Sequence, residues 1–85
     1  MRFSTPTALT GLSAIYVSQK NWPDAIALDR ELVKLDPYNQ ADLLQLGRDL
    51  KLSGDLAGAK AVIPLINAFA PNTTEAKQAQ SEFGQ

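Results

Sequence analysis

Apolar residues recur along this chain at intervals of three and four, the spacing that lines them up on one side of an α-helix. Leu9, Leu12 and Tyr16 form a first stripe, and Ala25, Leu28, Leu32 and Leu35 a second. Leu43, Leu46 and Leu50 form a third, followed by Ala59, Val62, Ile66 and Phe69. Between stripes stand residues that favour turns: Asn21-Trp22-Pro23 after the first and Ser53-Gly54-Asp55 after the third, with Pro37 and Pro71 closing the second and fourth. A more polar segment ends the sequence, apolar only at Ala76, Ala79 and Phe83. The pattern predicts helices at about 6–20, 23–35, 40–53, 56–69 and 73–83.

Local signals agree with these limits. Thr5 before Pro6 can cap the first helix, with proline at its first position, and Asn39 with Asp42 can open the third. Asn72 with Glu75 can open the fifth. Gly54 suits a left-handed helix end. Pro64 falls inside the fourth helix, where it removes the hydrogen bond to the carbonyl of Lys60 and is expected to kink or divide the helix.

Shifting the sequence by 34 residues against itself brings like residues together. Leu9 falls on Leu43, Leu12 on Leu46, Ser13 on Gly47 and Tyr16 on Leu50. Ala25 falls on Ala59, Leu28 on Val62, Leu32 on Ile66 and Pro37 on Pro71. Each copy is thus a pair of amphipathic helices whose short connection makes them antiparallel.

This register, with Leu46-Gly47, Gly54-Asp55, Ala59 and Pro71 in the second copy and Tyr16, Ala25 and Pro37 in the first, resembles the tetratricopeptide repeat family. Ser13, Asp29 and Ile63 depart from the family pattern, Ser13 where a glycine and the other two where an aromatic is usual. The resemblance implies an all-α superhelix, or solenoid, of two helical hairpins plus a C-terminal capping helix. A single domain over 1–85 is expected, with repeats at about 6–39 and 40–73 and the cap at about 73–83.

The resemblance also implies a concave groove on the first helix of each pair. Its expected lining is Thr7, Thr10, Ala14 and Val17 from one copy and Ala41, Leu44, Arg48 and Lys51 from the next. Such a groove is small and uncharged on one side and carries two cations on the other, which suits a protein or peptide segment with an acidic group. The carboxylate clamp of chaperone-binding members is missing, because Thr10, Ala14, Gln45, Glu75 and Ala79 stand at its places.

Composition narrows the remaining classes. The 85 residues are 45% apolar and 20% charged, enough to fold as one small unit, and the net charge of −1 leaves no basic surplus for nucleic acid. Cysteine and histidine are absent, which removes thiolate chemistry and the commonest ligands and proton carriers, so no catalytic residue, cofactor or metal is expected. Asp24, Asp29, Glu31 and Asp36 are interleaved with Arg30 and Lys34 and read as a hydrated face, as does Asp49 between Arg48 and Lys51. No run is long enough to span a membrane and no cleavage pattern follows the first helix, so the cytoplasm is the expected location.

Function is therefore expected to be protein–protein interaction through the groove. Two repeats are fewer than the roughly three that such a stack usually needs. The alternative is accordingly self-assembly, as a homodimer or as the C-terminal part of a larger protein.

Overall fold

The computed structural model describes residues 6–69 and 72–84, with only the backbone described for residues 6, 7 and 69. The described residues form five helices and no strand: α1 (Pro6–Ser18), α2 (Trp22–Leu35), α3 (Gln40–Leu52), α4 (Leu56–Phe69) and α5 (Thr74–Phe83). The expected helix cap at Thr5 and the stop at Pro71 lie outside the described residues. Helices α1 and α2 form one hairpin and α3 and α4 another; α2 packs on α3, and α5 packs on both α3 and α4. The result is an elongated body of 38 × 25 × 16 Å.

Both hairpin turns use the same hydrogen-bonded device, 34 positions apart. In the first, Lys20 N–H reaches the Val17 carbonyl (2.9 Å) and Asn21 N–H the Tyr16 carbonyl (2.8 Å). In the second, Gly54 N–H reaches Lys51 (3.0 Å) and Asp55 N–H reaches Leu50 (2.8 Å). Each turn satisfies carbonyls at the helix end through one residue in the left-handed region, with φ 56° at Lys20 and φ 99° at Gly54. Only glycine enters that region without crowding its Cβ, so the first turn carries strain at Lys20 that the second lacks. For this reason α1 stops at Ser18, short of the expected Lys20.

The cap at Asn39 forms as expected, its Oδ1 accepting from Asp42 N–H at 3.1 Å. The cap of α5 is Thr73 rather than Asn72. Its Oγ1 accepts from Ala76 N–H (3.1 Å) and donates to Gln40 Oε1 (2.6 Å), which ties the start of α5 to the start of α3. Pro64 does not divide α4, which runs unbroken through it with the proline on the exposed side.

The main core belongs to the second hairpin and α5. Leu43, Leu44, Leu46 and Leu50 of α3, Ala59, Val62 and Ile66 of α4, and Ala76, Ala79 and Phe83 of α5 form one buried cluster. Helix α1 contributes no member. In the first copy Leu9, Ala25 and Leu32 are buried as expected, but Leu12 and Leu35 are exposed and Tyr16 and Leu28 only half-buried. The stripe runs where periodicity puts it, but only part of it is covered: among the other described helices α1 packs substantially only on α2.

Candidate functional site

Two junctions hold the layers together, hairpin to hairpin and hairpin to α5, and they are built from positions 34 residues apart. At the second, Phe83 lies fully buried over Gly47, whose missing side chain makes the room: a Cβ there would fall within contact distance of the ring. Half-buried Ile63 packs against this apolar core.

At the first junction the equivalent positions carry Asp49 in place of Phe83, Ser13 in place of Gly47 and Asp29 in place of Ile63. All three are buried, Asp29 being 1% exposed and Asp49 fully enclosed. Neither aspartate lies on the hydrated face that charge interleaving suggests, because α2 and α3 turn these positions toward each other. Ser13 Oγ donates to Asp29 Oδ1 (2.8 Å) and Gln45 Nε2 donates to Asp49 Oδ1 (2.9 Å). No other described residue supplies a donor to Oδ2 of either carboxyl. A proton carried by Asp29 joins the pair: burial first, then the hydrogen bond to Asp49, push the Asp29 carboxyl from 3.8 up to about 8, so it is neutral near pH 7. One hydrogen-bonded chain thus crosses from α1 through α2 to α3.

Beside this chain lies an open cavity of about 290 Å³. Thr10, Ser13, Ala14 and Val17 of α1 form one wall, Asp42 and Gln45 of α3 the other, and Asp29 and Leu32 of α2 contribute between them. The cavity follows from side-chain length. At the second junction the counterparts of Thr10, Ala14 and Val17 are Leu44, which joins the core, and Arg48 and Lys51, which reach across to Glu82 and leave a smaller cavity of about 210 Å³ beside Leu52 and Phe83. Burial, with the charge of Asp36 adding to it, pushes the Asp42 carboxyl up as well. The lining includes no lysine or arginine.

The expected groove residues divide accordingly. Thr10, Ala14 and Val17 line the cavity together, while the side chain of Thr7 lies outside the described residues and Ala41 is exposed away from the lining. Leu44 is instead part of the core. Arg48 and Lys51 are taken up by α5. Arg48 Nε and Nη2 pair with both carboxylate oxygens of Glu82 (2.9 and 2.8 Å), and Lys51 Nζ donates to the Glu82 carbonyl (2.6 Å). The Arg48 hydrogen bonds hold the Glu82 carboxyl below the usual carboxylate range. The positive side of the groove is therefore occupied by the chain itself, and what remains open is acidic. Asp29, Asp42, Ser13 and Gln45 are the site residues that charge and family pattern overlooked.

Among the described residues there is no cluster of three or more metal-ligating side chains, and no helix is long and apolar enough to cross a membrane. In comparisons with known proteins the chain matches no family model, and no curated protein or solved structure matches it either.

Proposed function

We propose that this chain is a protein-binding module of tetratricopeptide type, a short solenoid that takes a partner polypeptide into the cleft between its two hairpins. The observation that carries this is the cavity itself. It opens where α1 replaces long side chains with Thr10, Ala14 and Val17, and its volume of about 290 Å³ sits at the lower edge of what binding pockets provide. The 34-residue register and the shared turn device support the repeat assignment.

A photo-crosslinking residue at Ala14, with one at exposed Ala61 on α4 as control, tests it. The expected result is capture of the same proteins at Ala14 but not at Ala61, suppressed by excess unlabelled wild-type chain but not by an Ala14→Arg variant. Equal capture at both positions rules the cleft out.

Self-assembly is the second reading, favoured by one observation. Gly11 and Ile15 hold the positions that Gln45 and Asp49 of α3, and Ala79 and Phe83 of α5, use to dock on the preceding hairpin, yet both are exposed. Apart from its chain neighbours and the backbone of its own helix turn, no described residue comes within 4 Å of where a side chain at Gly11 would begin. Light scattering across a concentration series, repeated on Ile15→Glu, decides it: a dimer lost in the variant supports assembly through α1, and a monomer at all concentrations excludes it.

A further inference from the structure

The second junction shows how this fold satisfies a carboxylate beside α3: it brings in a guanidinium, Arg48, and pairs it with Glu82 through two hydrogen bonds. The first junction has the carboxylates without the cation. Ala14 stands where Arg48 stands one repeat later, and Arg48 itself is held by α5. Of the elements around the cavity, α1 supplies only uncharged side chains, α2 supplies Asp29, and α3 supplies Asp42 and Gln45, with Asp49 behind. Oδ2 of Asp29, a residue 1% exposed that lines the cavity, has no donor from any other described residue. Among the described residues only the proton that joins Asp29 to Asp49 meets that need.

We propose that the cavity receives the guanidinium or ammonium group of an arginine or lysine side chain from a partner polypeptide, held by Asp29 at the inner end and Asp42 at the rim. This rests on the cleft being the partner-binding surface, and it reverses the preference for an acidic partner that Arg48 and Lys51 suggest from sequence. The walls suit such a side chain: Ala14, Val17 and Leu32 can cover its methylene stem, while Ser13 and Gln45 remain committed to the two aspartates. An entering cation takes the place of the proton on Asp29, which is released to solvent. The gain is a charge-assisted, partly desolvated contact, stronger than a surface ion pair.

The test uses isolated side-chain probes, so that its failure and that of the partner-binding reading are separable. The full chain, isotopically labelled, is titrated with Nα-acetyl-argininamide and Nα-acetyl-lysinamide up to tens of millimolar, and amide shifts are read by NMR. The blocked amide of citrulline serves as the uncharged isostere. The expected result is saturable shifts at Thr10, Ser13, Ala14 and Gln45 with the charged probes and none with citrulline. Affinity should rise up to about tenfold per pH unit between about pH 6 and 8, because Asp29 must give up its proton.

Asp29→Asn, which keeps the shape of the side chain, should abolish both binding and pH dependence. Asp42→Asn, which leaves the buried pair intact, should weaken binding several-fold and keep the pH dependence. Absence of saturable binding, equal binding of citrulline, or binding unchanged in Asp29→Asn overturns the proposal. In those cases the cleft is still tested by crosslinking at Ala14. Conversely, probe binding without partner capture at Ala14 leaves a cation site and removes the partner reading.

Discussion

The buried aspartate pair makes stability depend on pH in the direction opposite to most carboxylates. In the unfolded chain Asp29 ionises near 3.8, and in the fold it keeps its proton to about 8. Between those values the folded state binds one proton more than the unfolded state, so stability falls as pH rises. The contribution is fully present below about pH 4 and lost as pH climbs through about 8. One group gives a slope of about 1.4 kcal/mol per pH unit, or roughly 2–3 kcal/mol between pH 5 and pH 7, a large share of the total stability of a small domain. Urea denaturation followed by helical circular dichroism at half-unit steps above pH 5 measures it, since ordinary carboxylates have finished titrating there. Asp29→Asn can accept from Ser13 and donate to Asp49 at every pH. It is therefore expected to lose most of the slope above pH 5, keeping only what the raised Asp42 carboxyl contributes, and to exceed the wild type near neutrality by about 2 kcal/mol. A wild-type profile that is flat or rises between pH 5 and 8, or a slope undiminished in Asp29→Asn, refutes the assignment of the shared proton.

Three further outcomes follow from the two turns and the second junction. Lys20→Gly should raise stability by roughly 0.5–1 kcal/mol, read as an upward shift in the thermal midpoint, because it relieves the left-handed residue of the first turn. Gly47→Ala should lower stability by about 1–3 kcal/mol in denaturant titration, since the added methyl meets the Phe83 ring. A double-mutant cycle on Arg48→Met and Glu82→Gln should give a coupling of about 0.5–1 kcal/mol, modest because both side chains are about a third exposed. That coupling should shrink with added salt and as pH falls through the lowered Glu82 titration, the reverse of the Asp29 trend.

Helix number, limits and turn positions were legible because three-and-four spacing and turn chemistry are local signals. The core of the second hairpin was legible too, since Leu43, Leu46, Leu50, Ala59, Val62 and Ile66 sit on stripes covered from both sides. Leu12 and Leu35 were misplaced because periodicity shows which face is apolar, not whether a neighbour covers it. Lys20 was overlooked in the first turn because left-handed geometry is read from glycine, and here only its equivalence with Gly54 points to it.

Asp29 and Asp49 were missed for a different reason. Charges alternating in sign along a helix ordinarily mark a hydrated surface, and nothing local separates these two from Asp24 or Glu31. The signal lay at long range, in the register that sets Asp29 on Ile63 and Asp49 on Phe83. The engagement of Arg48 and Lys51 by Glu82 was not legible either, because that partner lies far along the chain in α5.

The unlike junctions also divide the chain into two units of unequal cohesion. Helices α3, α4 and α5 share one apolar cluster and lock Phe83 over Gly47, whereas the α1–α2 hairpin joins them through a polar seam beside an open cavity. Local opening follows the weakest seam, so amide protons of α1 and α2 should exchange sooner, and as a group, than those of α3. The hydrogen-bonded chain from Ser13 to Gln45 then acts as a latch between a stiff frame and a looser arm. A ligand seated in the seam would hold that arm shut, so occupancy would be felt first in the exchange rates of α1 rather than in any change of shape.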